Sequence, residues 1–263
     1  MGSSTAQAQL WGRQPKDWAA IQEPTAKAGY DHAIDALRLN GKEVLLDIGC
    51  GSGLFCSLAA SKVRFLTGFD ATVELVEEAR RRLPAYPFLV GEMEKLGLPN
   101  EAYDIVTGFN SFQYAANISN AFHEASRVLK PGGRLVAMIW GNKEDCQAAV
   151  SLSAIGALLP PPPPGAPGPF TLSEGQLLEK TLEKAGFTVL QSTDVESVWD
   201  YPDVPTLLRG FLASGPATRV IAEVGYDKVA EAVKATLAPF TRPDGHIVYN
   251  NKFRVVIAKK SIM

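Results

Sequence analysis

One short stretch, "EVLLDIGCGSGLF" from Glu43 to Phe55, constrains the fold of this chain more than any other segment. An aliphatic run ends in an acid, Asp47, and three glycines then alternate with small residues before a second apolar run. The first run predicts a buried strand, and the glycines predict a tight turn into a helix, because glycine adopts positive φ without steric strain. Close packing of the turn would explain this pattern, and so would a ligand that approaches the backbone.

The alternation of strand and helix continues beyond this turn. Further strands are predicted at "RFLTGFD", "PFLVG", "DIVTGF" and "GRLVAMIW", with helical stretches such as "ATVELVEEARRRL" between them. Units of this kind connect by right-handed crossovers into a mostly parallel sheet. The strands are almost continuously apolar, which indicates burial on both faces. With 263 residues, of which 46% are hydrophobic, the chain can form one large α/β domain with an accessory cap.

Three segments lie outside this alternation. Residues 1–38 carry apolar side chains at helical spacing and are predicted to form an N-terminal helical lid on a main domain of residues 39–263. Residues 158–170 contain five consecutive prolines, which favour polyproline II and exclude a helix, so a surface loop or a domain boundary is expected. Residues 196–245 are interpreted as a helical cap insertion.

Composition narrows the class of protein. The formal net charge of −2 provides no basic field for a nucleic acid, so a nucleic-acid partner is not expected. No apolar run reaches the ~18–20 residues of a membrane span. The three cysteines, Cys50, Cys56 and Cys146, suit a reduced cytoplasmic protein better than a disulfide framework. Neither Cys-x-x-Cys nor paired histidine spacing is present, so no metal site is predicted. The sequence does not indicate an oligomeric state.

A second acid strengthens the case for a ligand. The glycine turn places free N–H groups and a helix N-terminus at the carboxyl end of the first strand, where open α/β sheets bind ligands. Asp70 ends the second strand, 17 residues after Gly53. Its carboxylate can accept both ribose hydroxyls of an adenosine cofactor, and it can also cap the following helix.

The type of cofactor follows from the glycine spacing. A dinucleotide site uses Gly-x-Gly-x-x-Gly, whereas this turn reads Gly-x-Gly-x-Gly. A short-chain nicotinamide oxidoreductase would also need Tyr-x-x-x-Lys, and none of the seven tyrosines has a lysine four residues later. A nicotinamide-dependent oxidoreductase is therefore disfavoured.

"LLDIGCGSG" resembles the first motif of class I S-adenosylmethionine-dependent methyltransferases. The stretches "GFD", "GEMEKLGLP", "YDIVTGFNSFQY" and "ASRVLKPGGRLVAMIW" follow in the order of that family, so the resemblance covers about residues 40–140. The whole chain looks most similar to the small-molecule branch, the ubiquinone- and menaquinone-biosynthesis methyltransferases. This resemblance implies a Rossmann-like sheet of seven strands, mostly parallel with the last strand antiparallel, and helices on both faces.

The resemblance also implies the contacts of S-adenosylmethionine. It places the methionine part against the glycine turn, the ribose on Asp70, the adenine beside the residues that follow the second and third strands, and the methyl group at the end of the fourth. Glu92 stands where a shorter Asp is commoner. The implied cofactor-binding residues are Asp47, Gly49, Cys50, Gly51, Gly53, Asp70, Ala71, Glu92, Met93, Phe109 and Asn110.

Methyl transfer is an in-line displacement that requires alignment, and it needs a base only when the nucleophile carries a proton. Many relatives have a histidine after the fourth strand, where this chain has Gln113 and Tyr114. The catalytic residue is therefore unknown. His123 lies off the apolar stripe of its helix and is expected in solvent. The weak candidates for a base are His32, Tyr114, His246 and Tyr249.

The methyl acceptor is expected to be a small, apolar or aromatic metabolite. Trp11 and Trp18 near the start, with Trp199 and Tyr201 in the predicted cap, suggest an aromatic lid over it. The alternatives are methylation of a protein or nucleic acid, and a protein that binds the cofactor without catalysis. An Asn/Asp-Pro-Pro-aromatic stretch of the amino-directed DNA methyltransferases is absent after the fourth strand. The candidate substrate-binding residues are Trp18, Asn110, Gln113 and Tyr114.

Overall fold

A computed structural model describes residues 2–161 and 168–261 of the chain. Its central feature is one sheet in which seven strands have the order β3-β2-β1-β4-β5-β7-β6. The strands are β1 (Val44–Ile48), β2 (Phe65–Asp70), β3 (Phe88–Val90), β4 (Tyr103–Phe109), β5 (Leu129–Trp140), β6 (Phe187–Tyr201) and β7 (Ile247–Lys260).

The first five strands pair in parallel, and β7 runs antiparallel to both of its neighbours, β5 and β6. The Rossmann-like fold implied by the resemblance, with its antiparallel last strand, is therefore confirmed. Successive residues of β1 contact different cores: Leu45 belongs to the cluster on one face and Leu46 to the cluster on the other. Because both faces are covered, the inner strands contain few polar residues, as their composition predicts.

Helices cover both faces of the sheet. They connect the strands or form the two accessory segments at the N-terminus and between β6 and β7, and short 3₁₀ turns link several of them. The helices are α1 (Ser4–Trp11), α2 (Pro15–Asp17), α3 (Lys27–Leu37), α4 (Leu54–Ala59), α5 (Val73–Arg82), α6 (Ile118–Val128), α7 (Ala149–Gly156), α8 (Leu177–Lys184), α9 (Val204–Phe211), α10 (Gly215–Val224) and α11 (Tyr226–Lys234).

The N-terminal segment, Ser4–Leu37, is helical almost throughout. Between α2 and α3 it contains a π-helical turn, Trp18–Gln22, and a 3₁₀ turn, Glu23–Ala26. Helix α1 packs on α10, and the π-helical turn packs on α9. Through these contacts the N-terminal segment joins the helices that follow β6 to the main domain. No helix within the described residues is long and apolar enough to span a bilayer.

The region after the proline run differs from its expected structure at one point. Strand β6 continues to Tyr201, so residues 196–201 belong to the sheet and the helices that follow begin at Val204. Trp199 and Tyr201 are buried within this strand, where they are part of the sheet. Strand β6 lies at the edge of the sheet beside β7, and its last part alternates exposed and buried residues. Residues 162–167 of the predicted proline-rich loop lie outside the described residues.

Candidate functional site

The glycine turn joins β1 to α4 with positive φ at all three glycines: 74° at Gly49, 53° at Gly51 and 78° at Gly53. At two of them the protein itself fills the space. A Cβ added to Gly49 would lie 2.2 Å from Cβ of Ser111, and one added to Gly53 would lie 2.9 Å from Cβ of Ala79. Close packing therefore explains these two glycines.

Gly51 is different, because the space in front of it is lined by polar atoms. A Cβ at this position would lie 3.3 Å from Oε1 of Glu23 and 3.5 Å from Nε1 of Trp18, both from the N-terminal segment. The Trp18 Nε1–H is buried and has no hydrogen-bond partner within the described residues. The atoms nearest to Gly51 are therefore a polar acceptor and a polar donor of the N-terminal segment.

Asp70, at the end of β2, links the turn to helix α5. Its Oδ2 accepts a hydrogen bond from Gly51 N at 2.9 Å, and its Oδ1 accepts one from Thr72 N at 2.8 Å. An ionised carboxylate offers about four acceptor positions, so the two bonds leave capacity for hydroxyl donors. Burial raises the pKa of Asp70, and the two backbone N–H groups oppose that rise. Ala71 follows, half-buried, before α5 begins.

Glu92 and Met93 follow β3 on the same edge of the sheet. Oε2 of Glu92 accepts a hydrogen bond from Ser4 N at 2.8 Å, so the carboxylate predicted to meet the adenine also holds the start of α1. A pocket of about 530 Å³ opens beside Glu92 and is lined further by Glu94, Lys95 and Asn117. Met93 packs half-buried against the core on one face of the sheet. The site therefore extends along three strand ends.

Asp47 lies beneath the turn instead of in front of it. Its carboxylate is 2% exposed and accepts hydrogen bonds from Thr107 Oγ1 at 2.7 Å and Cys56 Sγ at 3.5 Å. The pKa of Asp47 is raised from 3.8 to about 7, mainly by burial and in part by the neighbouring carboxylates of Glu23 and Asp70, while the two hydrogen bonds oppose the rise. This placement favours support of the strand end over direct contact with a ligand. Cys50, also predicted to contact the cofactor, is buried.

The raised pKa of Asp47 predicts a pH-dependent stability. Below about pH 4 the residue is protonated in both the folded and unfolded states; between pH 4 and 7 only the unfolded state ionises, so stability falls as the pH rises. Asp47→Asn removes this loss. Urea unfolding should show the variant gaining about 2 kcal/mol relative to wild type between pH 5 and pH 8. The exposed Asp227→Asn should show no such change; a pH-independent difference for Asp47→Asn would contradict the assignment.

The end of β4 supplies the other predicted contacts. Phe109 is buried against Tyr30 and Phe55, at centroid distances of 4.8 and 4.3 Å. Asn110 adopts positive φ, 50°, while its N–H donates to the carbonyl of Met138 at 2.7 Å. The strand therefore ends in an aromatic wall followed by a residue held in the left-handed region.

Gln113 and Tyr114, in the 3₁₀ turn after β4, meet the N-terminal segment. Tyr114 packs edge-on against Trp11 at 5.4 Å, and Trp11 packs against Trp18 at 4.7 Å. Oε1 of Gln113 is buried and has no partner in the part of the chain that the structure describes. Two of the predicted substrate-binding residues, Trp18 and Tyr114, thus belong to one aromatic group, the Trp11–Trp18–Tyr114 cluster. Gln113 precedes Tyr114 in the same 3₁₀ turn.

The remaining candidates for a base lie in other surroundings. His32 on α3 faces Gln191 of β6, with 3.4 Å between their Nε2 atoms. His246 is 41% exposed and pairs with Asp200 at 2.6 Å, which raises its pKa. Tyr249 is fully buried and its hydroxyl lies 2.8 Å from Oγ of Ser151. His123 is exposed on α6, as expected. Of the four candidates, Tyr114 is the one that belongs to the Trp11–Trp18–Tyr114 cluster.

A buried ion pair in the site is not predictable from any sequence pattern. Glu23 is 3% exposed, and its Oε2 accepts hydrogen bonds from the Ser52 hydroxyl and from Arg82 Nη1, the latter at 2.6 Å. Arg82 also donates to the carbonyls of Ser52 and Ala19. Burial raises the pKa of Glu23 and Arg82 opposes that rise. In the sequence, Glu23 is marked only as the single acid of the weakly charged stretch "WAAIQEPTA".

Among residues 2–161 and 168–261, no group of three or more His, Cys, Asp and Glu side chains is arranged to hold a metal ion.

Known proteins match this chain in sequence and in fold. Residues 46–137 match the family model described as a methyltransferase domain. A malonyl-[acyl-carrier protein] O-methyltransferase of Methylococcus capsulatus is 24% identical over 220 residues, which are 76% of each protein. The enzyme of the same name from Serratia marcescens is 34% identical over 91 residues, 35% of this chain and 36% of that protein. The match spans about a third of the length of the first two curated relatives, the Serratia marcescens enzyme and a protein from a Streptomyces fradiae transposon.

A solved structure supports the fold. A candidate methyltransferase from Bacillus halodurans superposes with a TM-score of 0.62 at 19% identity, covering 89% of this chain and 99% of that one. At this level of identity the likeness shows the fold alone.

The site residues fit the cofactor that the family model implies. The space before Gly51 contains an unpartnered indole N–H and a carboxylate oxygen, and Asp70 retains acceptor capacity for ribose hydroxyls. These groups complement a ligand that carries both an adenosine and a charged end. Residues 46–137 therefore carry the sequence pattern of a methyltransferase domain.

Proposed function

We propose that the chain transfers the methyl group of S-adenosylmethionine to an oxygen, nitrogen or carbon atom of a small apolar or aromatic metabolite. The observation that carries this proposal is the convergence of three strand ends: the turn at Gly51, the carboxylate of Asp70 and that of Glu92 share one edge of the sheet. Membership of the ubiquinone- and menaquinone-type branch is part of the same proposal.

The cofactor would supply a methyl group already activated on a sulfonium. The residues of this chain then align the acceptor and exclude water, which are the main requirements of an in-line transfer. Residues 1–38 act as a lid in this proposal, and the helices after β6 act as a cap. The Trp11–Trp18–Tyr114 cluster would provide flat apolar surface for the acceptor.

The site favours acceptors that need no base. Burial raises the pKa of Tyr114 to about 12, so its hydroxyl stays protonated at neutral pH and is unsuited to act as a general base. A carboxylate, a phenolate of low pKa or an unprotonated amine would react without assistance. The two curated relatives named above carry O-methyltransferase in their names, and a carboxylate acceptor fits this chemistry.

Activity can be tested with methyl-labelled S-adenosylmethionine and a panel of small aromatic and carboxylic acids. The expected result is transfer of the label to a member of the panel with equimolar release of S-adenosylhomocysteine. Label found only on added protein or nucleic acid would support the macromolecular alternative. Cofactor binding without transfer to any acceptor class would support a non-catalytic binding protein.

Asp70→Asn tests the cofactor site directly. The amide retains one acceptor for the backbone but loses the negative charge that receives the ribose hydroxyls, and a hydrogen bond to a charged group contributes about 1.5–3 kcal/mol. We therefore expect affinity for S-adenosylmethionine to fall by about tenfold or more, measured by calorimetry. Asp227→Asn, on the exposed face of α11, is the matched control. Unchanged affinity in a folded Asp70→Asn variant would contradict the proposed ribose contact.

A further inference from the structure

The carboxylate of Glu23 has one oxygen engaged and one oxygen facing the turn. Its Oε2 receives the Ser52 hydroxyl and the guanidinium of Arg82. Its Oε1 has only a long contact, 3.4 Å, from Leu54 N, and lies 3.3 Å from the position of a Cβ on Gly51. Arg82 therefore fixes the carboxylate while Oε1 keeps acceptor capacity toward the space before Gly51.

Trp18 brings a donor to the same place. Its Nε1 lies 3.5 Å from the same Cβ position and has no partner within the described residues. An indole N–H can only donate, and burial of a donor without a partner is unfavourable. Edge-to-face packing against Trp11 orients the ring. A donor held in this way is suited to an acceptor brought by a ligand.

An acceptor and a donor at one point match the two charges of an α-amino acid. We infer that Glu23 and Trp18 bind the amino-acid end of the cofactor, with Oε1 of Glu23 accepting from the ammonium and Nε1–H of Trp18 donating to the carboxylate. This inference rests on the proposed function and extends it, because it makes the N-terminal segment part of the cofactor site.

The charges around the turn agree with this assignment. Three carboxylates, Glu23, Asp47 and Asp70, lie near enough to influence one another, and Arg82 is the cation paired with the first of them. S-adenosylmethionine carries a sulfonium, an ammonium and a carboxylate, which sum to one positive charge. A negative surplus at the turn therefore suits this ligand, and the site is expected to select adenosyl compounds that retain the amino-acid end.

Three ligands distinguish the contact between Glu23 and the ammonium from the contact between Trp18 and the carboxylate. S-adenosylhomocysteine carries the ammonium and the carboxylate, its decarboxylated analogue carries the ammonium alone, and methylthioadenosine carries neither. Calorimetry should compare wild type with Glu23→Gln, which keeps the shape of the side chain, and Trp18→Phe, which keeps an aromatic ring but removes the N–H donor. Matched controls are Glu223→Gln, on the exposed face of α10, and Trp199→Phe, whose N–H already donates to Ser197 within β6.

We expect Glu23→Gln to lower the affinity for S-adenosylhomocysteine and for its decarboxylated analogue by about tenfold or more. Trp18→Phe should lower the affinity for S-adenosylhomocysteine by about tenfold. The affinity for the decarboxylated analogue should stay within about twofold of the wild-type value. Methylthioadenosine and both control variants should also stay within about twofold. This pattern would establish one contact for each charge.

Other outcomes overturn the inference in distinguishable ways. If wild type binds S-adenosylhomocysteine and both variants bind it equally well, the N-terminal segment does not bind the amino-acid end and the proposed function stands. If the variants lose all three ligands equally, the residues act on the fold of the turn alone, which near-ultraviolet circular dichroism would register. If folded wild type binds none of the three ligands, the proposed function itself fails.

Discussion

Gly49→Ala is expected to lower the free energy of unfolding by about 3 kcal/mol, because the new methyl group adds left-handed strain to a collision inside the fold. At φ 74° an L residue is strained, and the added Cβ would lie 2.2 Å from that of Ser111. Ser111 is itself fixed by a hydrogen bond to the Ile48 carbonyl at 2.7 Å. Urea unfolding at neutral pH measures the loss.

Gly51→Ala is the matched variant, because its φ of 53° is similar but its Cβ enters the polar space. We expect it to cost about 1–2 kcal/mol of stability from backbone strain alone, and to weaken S-adenosylhomocysteine by about tenfold or more. Equal destabilisation by the two substitutions, with cofactor binding retained in Gly51→Ala, would show that all three glycines serve packing.

Arg82→Ala is expected to destabilise the protein by about 3 kcal/mol, because it leaves the buried carboxylate of Glu23 without its cation. The side chain of Arg82 is 26% exposed and that of Glu23 is 3% exposed, so water cannot replace the guanidinium fully. Chemical unfolding of the single variants and of the double variant Arg82→Ala with Glu23→Gln gives the coupling between the pair.

The double variant should recover part of the stability lost in Arg82→Ala, since a neutral amide needs no counter-ion. Arg81→Ala on the same helix removes a cation that is 59% exposed and should leave the stability essentially unchanged. Similar losses for Arg81→Ala and Arg82→Ala would contradict a special role for the buried pair.

The sheet and the glycine turn are predictable from the sequence because their signals are local. Apolar runs such as "EVLLDIG" and "DIVTGF" become inner strands. The carboxylate of Asp70, which closes β2, reaches the turn because β1 and β2 are neighbouring parallel strands. The edge strand β6 was less visible. Exposed and buried residues alternate over its last six positions, so "ESVWDY" has the mixed composition of a surface segment.

The part of the site that could not be predicted depends on contacts between distant residues. Glu23 and Arg82 are 59 positions apart and meet only after the N-terminal segment has packed on α5. For Asp47 the sequence motif predicts a contact with the ligand. In the structure its buried carboxylate accepts a hydrogen bond from Thr107 and lies beneath the turn. Periodicity indicates which face of an element is buried, but not which buried charge meets which partner.

The claim that this edge of the sheet binds S-adenosylmethionine is tested most directly by a crystal structure with S-adenosylhomocysteine. The account predicts the homocysteine part against Gly51, between Glu23 and Trp18, and the ribose hydroxyls within hydrogen-bonding distance of the Asp70 carboxylate. A ligand bound away from this edge, or crystals that contain no ligand despite a large excess in solution, would contradict it.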